Sequence, residues 1–545
     1  MTEPEHRTPR LAWNAWGTAD DAAPLSDGVR ALLEEGLGVV HRDTPSVAES
    51  DVRVRPSALP ADVGAALNDV VGTEHVHVDD AARLRHCGGK STPDLLRRRA
   101  GDATGAPDAV VFPADHDQVD AVLRTCSEHC VAVVTFGGGT SVVGGLEPER
   151  GPFGAVVALD LHRLDKLVAL DAESGIATLQ AGLRGPEAED LLAEHGFSLG
   201  HFPQSFKFAT IGGFAATRSS GQNSAGYGRF DDMVTSLRVA TPHGGLELGR
   251  SPASAAGPDL RQLFLGSEGA LGVITEVGVR VHPVPEAKEH EAWSFSDFAT
   301  GAAALRELAQ VGALPTVVRL SDETETGLNL ALADDVGGDG PSGGCLVITM
   351  YEGTREHVAS RHAEAAAVLR AAGGTSLGAP AARSWEDGRF NGPHLRDSLL
   401  AVNALAETLE TATTWSNLTA TYGAVSDALT ESLTAQETPP VVMCHISHVY
   451  PEGASLYFTV ACARGEDPVA QWSRAKRAAG DAIAATGATI THHHAVGLDH
   501  RPWMPDEVGD LGVELLRSLK STVDPVGVLN PGKLVPPPAE DSHDR

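Results

Sequence analysis

The chain has 545 residues, of which 42% are apolar, an ordinary composition for a globular protein of roughly three to four domain-sized units. Its formal net charge of −31 at pH 7 argues against nucleic-acid binding, which needs a basic surface, and it disfavours a purely electrostatic hold on anionic membranes. Six scattered cysteines give no disulfide framework, no run of about 18 apolar residues predicts a transmembrane helix, and the first residues lack the apolar core of a signal peptide. We therefore expect a cytoplasmic protein, and we leave open peripheral contact with a membrane and assembly into a homodimer.

Residues 1–105 form the first predicted region, which is helical and irregular. The stretch DGVRALLEEGLG predicts a short amphipathic helix, and DLLRRRAG predicts a basic one. Neither stretch carries a pattern that indicates chemistry.

Residues 106–284 form the second predicted region, which begins as a β-α-β unit. PDAVVFP predicts a buried strand, DHDQVDAVLRTCSEHC a helix with Val119, Val122, Leu123 and Cys126 on one face, and VAVVTF a second strand. The second strand runs directly into GGGTS, whose free N–H groups and hydroxyls predict a cradle for a pyrophosphate, with a plain turn as the alternative. No GxGxxG opens a helix after the first strand, so this is not the dinucleotide-binding fingerprint.

A second glycine-rich stretch lies between Gly200 and Pro285, in GHFPQSFKFATIGGFAATRSSG and GSEGALGVIT. Glycine lets backbone N–H groups come close to a ligand, and the hydroxyls of Thr210, Thr217 and Ser220 stand between the glycines. The two stretches together predict the binding of a long, multiply charged ligand.

Residues 285–500 form the third predicted region, which opens with a shift towards charge and proline. Alternating strand and helix patterns predict an antiparallel sheet covered by helices on one face, so that the whole chain is of the α+β class. Residues 501–535 predict a helical segment that packs back on the second region, with Val508, Leu511, Leu515, Leu519 and Val523 on one helix face. Residues 536–545 predict a disordered tail.

Three motifs of the third region carry polar groups that suit chemistry. THHHAVG holds three histidines. On a strand, His492 and His494 would lie on one face and His493 on the other. The run suits proton transfer, binding of a substrate headgroup or metal ligation, with an ordinary polar surface as the alternative. CHISHVYPEGASLYFTV predicts a hairpin around PEG with Tyr457 in its second strand, where a packed sheet tyrosine is the alternative. Arg396 opens a small-residue stretch and suits a phosphate or carboxylate clamp, with an Asp397 ion pair or an ordinary surface charge as the alternative.

These motifs resemble two nested groups of proteins. FGGGTS and the second glycine-rich stretch resemble the FAD-binding domain of the vanillyl-alcohol-oxidase/p-cresol-methylhydroxylase (PCMH) superfamily. Over nearly the whole chain, from LAWNAWG to VDPVGVLNPG, the sequence resembles the alkyldihydroxyacetonephosphate synthase (alkylglycerone-phosphate synthase) family. The resemblance is greatest in FPQSFKFATIGGFAATRSSG, GSEGALGVITE, RDSLL, ETLETATTW, GASLYF and HHHAVG. The chain departs from the family at Val402 and Asn403, where bulky aromatic residues are usual, and at His445, where arginine is usual; NPGKL resembles flavin-dependent 2-hydroxyacid dehydrogenases instead.

The resemblance implies a PCMH-type FAD-binding domain, a cap or substrate domain, and roles for individual residues. The implied catalytic residues are Tyr457, His492, His493, His494 and His201, and the implied substrate-binding residues are Arg396 and Arg319. FAD contacts are implied for Thr135, Phe136, Gly137, Gly138, Gly139, Thr140, Ser141, Gln204, Ser205, Phe206, Lys207, Phe208, Ala209, Thr210, Thr217, Arg218, Ser219, Ser220, Glu268, Gly269, Ala270, Leu271, Gly272, Val273 and Ile274. Since the glycine loop holds no histidine, we expect the FAD to be noncovalent, and no metal is expected.

The resemblance also implies the reaction. The family exchanges the acyl group of acyl-dihydroxyacetone phosphate for a long-chain alcohol in ether lipid synthesis, with flavin N5 holding the three-carbon unit and no net redox change. The implied partners are therefore small lipid substrates. The alternative is an FAD-linked oxidase or dehydrogenase of a 2-hydroxy acid or alcohol, in which hydride passes to the flavin.

Overall fold

The computed structural model describes residues 11–18, 21, 25–40, 42–332 and 343–537. The N-terminal region consists of short helices that contact both later regions. Helix α4 starts at a capping box of Ser91 and Asp94, and its Thr92 hydroxyl donates to the carbonyl of Ala406 far along the chain. The elements of the N-terminal region are α1 (Asp27–Ala31), a π-helical turn (Leu32–Gly36), α2 (Ala61–Val71), β1 (Val76–His77), α3 (Asp80–Arg85) and α4 (Thr92–Arg99).

The second region contains two principal sheets. One has strand order β1-β2-β4-β3, in which β2, β4 and β3 are parallel, and the other is antiparallel with order β5-β6-β10-β8-β9. The predicted helix after the first strand is confirmed, because Val119, Val122, Leu123 and Cys126 are all fully buried. The elements are β2 (Ala109–Val111), α5 (His116–Glu128), β3 (Ala132–Phe136), β4 (Val156–Asp160), β5 (Leu167–Asp171), β6 (Ile176–Gln180), α6 (Gly185–Ala193), β7 (Phe197–Ser198), α7 (Ile211–Thr217), α8 (Ser224–Tyr227), α9 (Phe230–Met233), β8 (Val234–Thr241), β9 (Gly244–Leu248), α10 (Arg261–Phe264), β10 (Val273–Arg280) and β11 (His282–Pro283).

The third region is built on a seven-stranded antiparallel sheet, as predicted, with order β15-β12-β14-β13-β17-β18-β16. Side chains alternate across it: Leu320 and Phe458 join the apolar core on the helix-covered face, whereas Tyr457 faces the other way. The elements are β12 (Ala287–Phe295), α11 (Phe298–Gln310), β13 (Val317–Ser321), α12 (Glu323–Leu332), β14 (Cys345–Gly353), α13 (Arg355–Ala371), β15 (Thr375–Gly378), α14 (Pro380–Gly388), α15 (Gly392–Ala401), β16 (Ala404–Thr414), α16 (Leu418–Thr434), β17 (Val441–Ile446), β18 (Gly453–Ala463), α17 (Pro468–Thr486) and α18 (Met504–Val523).

The last helix, α18, departs from the predicted single apolar face at Val508. Gly509 has φ +73°, which breaks the helix and separates Val508 from the residues that follow. Leu511 and Leu515 are 70% and 64% exposed, and only Val523 of the predicted face is buried. Of the predicted tail, residues 538–545 lie outside the described part of the chain.

The last turn of α18 and the segment that follows it contact the second region. Leu529 forms a parallel bridge with Val133 of β3, and the Lys520 ammonium donates to the Ala270 carbonyl at 2.8 Å. None of the helices in the described part of the chain has the length and apolar content that a bilayer span requires.

Candidate active site

A cavity of about 530 Å³ lies where the three regions meet. One side is formed by the glycine loops of the second region, and another by the open face of the seven-stranded sheet. The N-terminal helices close an apolar end, where the lining residues are Val29, Leu32, Leu33, Leu37, Leu395, Leu399, Val441 and Ala461. This arrangement joins a polar, glycine-rich half to a half suited to hydrocarbon.

The glycine loop after β3 fits closely against the second glycine-rich stretch. A Cβ atom on Gly138 would lie 2.0 Å from the Phe208 carbonyl oxygen, and Gly139 has φ +70°. Side chains are therefore excluded at both positions. The Thr135 hydroxyl, which belongs to the cavity wall, is buried without a hydrogen-bond partner. An unpartnered buried donor beside free backbone N–H groups is the chemistry of a site for a polar ligand.

Arg396 lies on the cavity wall in α15. Its guanidinium is 3.9 Å from Asp397 Oδ1 and 3.8 Å from Glu407 Oε1, and it lies 5.8 Å from the centre of the Trp16 ring. Its side chain is 10% exposed, yet Nε and Nη2 have no hydrogen-bond partner among the described residues. The two carboxylates therefore hold the charge in place without using these donors, which suits a phosphate or carboxylate ligand better than either alternative weighed from sequence.

Arg319 also lines the cavity, but it is already paired. Its Nη2 is 2.7 Å from Glu325 Oε1 and 2.9 Å from His445 Nδ1. Burial by itself raises the pKa of Glu325, but Arg319 and His445 outweigh it and hold that pKa below its ordinary value. At the position where arginine is usual in the family, His445 is thus bound into this cluster.

The register of the sheet places Tyr457 at the centre of the polar wall. Tyr457 lies directly opposite His445 on β17 and Glu410 on β16, so all three share the cavity face. The Tyr457 ring is stacked on His445 at 4.8 Å and on His493 at 6.0 Å, and it meets His494 edge-on at 5.6 Å. Burial raises the pKa of Tyr457 to about 12, so the phenol is a neutral proton donor at physiological pH.

The histidine run forms a loop and not a strand, and the predicted alternation is wrong. Glu410, whose carboxylate is fully buried, accepts hydrogen bonds from the N–H groups of His492, His493 and His494 at 2.6, 3.2 and 2.9 Å. The Thr491 hydroxyl adds a fourth at 2.6 Å. Because the loop wraps around this carboxylate, His493 and His494 line the cavity together, whereas His492 lies behind them.

Electrostatics keep the imidazoles of this loop neutral. Burial lowers the pKa of His492 and His493 and lowers that of His494 to about 3. Burial alone raises the pKa of Glu410, but the positive charge that the three histidines carry when protonated, together with the Thr491 hydrogen bond, outweighs it and holds that pKa well below 4.5. A charged carboxylate therefore faces uncharged rings that can accept a proton from a ligand.

His201 does not lie on the cavity wall. It is 1% exposed between Phe214 and Phe230, and its Nε2 is 3.1 Å from the hydroxyl of Ser219, which does line the cavity. Its position suits the support of Ser219 and not the lining of the cavity.

The residues predicted to contact the cofactor divide into two sets. Those whose side chains or backbone line the cavity are Thr135, Gly137, Gly138, Gly139, Thr140, Ser141, Gln204, Ser205, Ala209, Thr210, Thr217, Ser219, Ser220, Glu268, Gly269, Gly272 and Ile274. The others lie away from it: Phe136, Phe206, Lys207, Phe208, Arg218, Ala270, Leu271 and Val273. Arg218, for example, pairs with Asp231 at 3.4 Å and with the Gln262 side chain at 2.9 Å.

Glu268 connects the glycine loops to the histidine loop. Its carboxylate accepts hydrogen bonds from the N–H groups of Val496 and Gly497 at 3.0 and 2.9 Å. Burial raises the pKa of this carboxyl to about 7. Asn530, in the NPGKL motif, donates to the Glu268 carbonyl at 2.7 Å. This motif therefore has a structural role, because it holds the backbone of the glycine loop that contains Glu268.

Comparisons with known proteins agree with this geometry. Residues 107–248 match the family described as "FAD binding domain", and residues 284–534 match "FAD linked oxidases, C-terminal domain". The alkyldihydroxyacetonephosphate synthase of Trypanosoma brucei brucei is 31% identical, over 97% of this chain and 93% of its own; that of Dictyostelium discoideum is 33% identical, over 94% and 86%. A solved alkyldihydroxyacetonephosphate synthase structure is 30% identical, has a TM-score of 0.83, and covers 96% of this chain and 99% of its own.

The chain belongs to the alkyldihydroxyacetonephosphate synthase family. It is an enzyme whose α+β fold joins a PCMH-type FAD-binding domain to a cap domain, and its cofactor is FAD. The residues present fit this cofactor, because the loop at Gly138 leaves room only for backbone and because Thr135 and Gln204 hold buried polar atoms without partners.

Several residues of the site were not predicted from the sequence. Trp16 and the leucines of the N-terminal helices line the cavity, although that region showed no chemistry in its sequence. Glu410, which holds the histidine loop, was also missed. Two features of the sequence could have indicated them. One is the LAWNAWG stretch, which contains Trp16, and the other is Glu410, which lies on the same face of the sheet as Tyr457.

Proposed function

We propose that the protein exchanges the acyl chain of acyl-dihydroxyacetone phosphate for a long-chain alcohol. The observation that carries the proposal is Arg396, a buried guanidinium on the cavity wall with two unpartnered donors. Such a group is costly to bury unless a ligand anion completes its hydrogen bonds, and a phosphate monoester does so bidentately.

The apolar end of the cavity supports a chain-bearing substrate. Leu33, Leu37 and Leu399 form one apolar cluster where the N-terminal helices meet α15. The same residues line the cavity opposite the glycine loops. A phosphate on Arg396 and a hydrocarbon chain in this cluster would together orient an amphipathic ester between the two halves.

The proton chemistry belongs to Tyr457 and His493. The neutral phenol donates a hydrogen bond to an oxygen of the substrate, and the neutral imidazole of His493 accepts the alcohol proton. Bound FAD supplies the reactive ring that allows the two chains to exchange with no net transfer of electrons. Its holding residues are the glycine loop Gly137–Ser141 with Thr135 and Gln204.

The test is incubation of the purified holoenzyme with acyl-dihydroxyacetone phosphate and labelled hexadecanol, with and without oxygen. We expect labelled ether product and free fatty acid in equal amounts under strict anaerobiosis, because no electrons leave the system. The oxidase alternative requires an electron acceptor, so turnover that stops without oxygen, restarts with a dye and ignores the alcohol would overturn the proposal.

We also propose peripheral contact with a membrane, because both chain-bearing substrates reside there. The contact would be apolar and not electrostatic, since the net charge is −31. Val40, which is 76% exposed, follows closely on the cavity-lining Leu37 and marks this surface. Sedimentation with zwitterionic phosphatidylcholine vesicles, unaffected by salt, is the expected result; protein that stays in the supernatant contradicts it.

Three further expectations stay predictions. The homodimer is tested by light scattering, the cytoplasmic localisation by fractionation, and the division of the chain after residues 105, 284, 500 and 535 by limited proteolysis.

A further inference from the structure

A chain of hydrogen bonds leads away from the cavity wall. His493, on the wall, has its Nδ1 2.9 Å from Nδ1 of His492. The opposite nitrogen of His492, Nε2, is 2.7 Å from the hydroxyl of Tyr450. His492 is 6% exposed, whereas Tyr450 is half-buried, so the chain runs from the cavity through a buried ring to a residue at the protein's edge.

The tautomers along this chain can all point the same way. His493 donates from Nδ1, His492 accepts at Nδ1 and donates from Nε2, and the Tyr450 oxygen accepts that bond while its own proton points onward. Nitrogens of His448, His492 and His493 lie within 4.8 Å of one another, a spacing that a metal ion can also exploit. Because both nitrogens of His492 are engaged in hydrogen bonds, the chain as it stands suits a proton path better than a metal.

The outer end of the chain meets polar surface. Beyond His492, the Tyr450 phenol interacts with Ser220, a buried residue of the cavity wall, and with the charges of Arg229, Asp231 and Asp232, of which Asp232 is exposed. These groups belong to the segment that precedes and forms α9. A proton that reaches Tyr450 therefore has the carboxylates of Asp231 and Asp232 as further acceptors, and the second of these is exposed to solvent.

The exchange proposed above requires such a path, and this inference rests on that proposed function. A carbon–oxygen bond to the fatty acid breaks, and a carbon–oxygen bond to the alcohol forms. The fatty acid leaves as a carboxylate, which keeps the bonding electron pair, and the alcohol loses its hydroxyl proton. No electrons are gained or lost, but one proton is released into a buried cavity in every turnover.

We propose that His492 and Tyr450 relay this proton from His493 to solvent. Neither residue touches the substrate; both act through His493. The relay explains why a second histidine lies behind the cavity wall and why its outer nitrogen meets a phenol.

The test is Tyr450→Phe in the full-length holoenzyme, with Tyr227→Phe as the matched control. The Tyr227 hydroxyl also donates to one partner, Glu352, at 2.9 Å, but it lies outside the cavity. We expect Tyr450→Phe to lower kcat by roughly ten- to a hundredfold, at or below the range of a direct acid–base group. Its solvent deuterium isotope effect on kcat should rise because proton release becomes rate-limiting, while KM and FAD content stay at the wild-type level. A merely structural role would not raise the isotope effect.

A second pair of measurements guards against loss of folding. His492→Asn interrupts the chain one step earlier and should give the same isotope signature, and Tyr450→Ala should be accelerated by added imidazole, which leaves the wild type unchanged. Wild-type kcat and isotope effect in Tyr450→Phe would overturn the relay, as would loss of FAD and fold in both the Tyr450 and His492 variants. Failure of the wild type to form ether product would instead contradict the proposed function and the relay with it.

Discussion

At the scale of single residues, Arg396 is the most informative side chain of the site. Its Arg396→Ala variant removes the two unpartnered donors of the cavity wall. Since a hydrogen bond to a charged group contributes about 1.5–3 kcal/mol, we expect KM for the phosphorylated ketone to rise by roughly ten- to a hundredfold. Steady-state kinetics with the phosphorylated substrate measure this.

The matched control for Arg396→Ala is Arg389→Ala. Arg389 lies over the rings of Phe202 and Phe390 at 4.8 and 4.9 Å and does not line the cavity. It should keep the wild-type KM, and both variants should keep their FAD. Normal kinetics in Arg396→Ala would show that the phosphate binds elsewhere.

Tyr457 tests the acid–base assignment. Tyr457→Phe removes only the hydroxyl, so the ring contacts with His445 and His493 should survive. We expect kcat to fall by roughly a hundred- to ten-thousandfold, the range typical of a proton-transferring group. The control is Tyr422→Phe, whose hydroxyl donates to Asp322 at 3.1 Å on the helix-covered side of the same sheet. Equal losses in the two variants would mean that Tyr457 is a packing residue.

At the scale of elements, Glu410 fixes the shape of the histidine loop. Glu410→Gln leaves one acceptor oxygen for four donors, so the free energy of unfolding should fall by about 2–5 kcal/mol through unsatisfied buried groups. Urea unfolding measures this loss, with the exposed Glu431→Gln on α16 as control. An unchanged midpoint would show that the loop holds its shape without the carboxylate.

The same carboxylate predicts a dependence of stability on pH. The pKa of Glu410 is lower in the folded protein than its ordinary value of 4.5, so its contribution is fully present above that value and is lost as the pH falls below it. The Glu410→Gln variant should therefore lose less stability than the wild type between neutral and acidic pH.

The elements also show what the sequence can predict. The buried helix α5 and the β17–β18 hairpin follow from local periodicity, and the glycine loop follows from its position after a strand. The histidine loop does not, because its shape depends on Glu410, which stands more than 80 residues earlier in the chain. The apolar end of the cavity was likewise unpredictable, since the leucines of residues 25–40 pack against α15, some 360 residues away.

At the scale of the whole molecule, the site exists only where distant parts of the chain meet. Leu33 and Leu37 come from the N-terminal helices, the glycine loops from the second region and Tyr457 from the third. Glu268 and Asn530 connect the glycine loops to the histidine loop and to the chain end. Cofactor binding should therefore stabilise the entire protein and not one domain alone.

This closure predicts how FAD is held and released. The glycine loop after β3 contains no histidine, His201 of the second glycine-rich stretch lies behind Ser219, and the histidines that line the cavity, among them His445 and His494, belong to the third region. We therefore expect acid precipitation to leave a yellow supernatant and a colourless pellet; a yellow pellet would demonstrate a covalent bond.

Because FAD binds the folded state alone, protein stripped of it should melt several degrees lower, and added FAD should restore the melting temperature in proportion to the logarithm of its concentration. Regions that melted separately, with only one of them responding to FAD, would show that the contacts of Glu268 and Asn530 do not couple them.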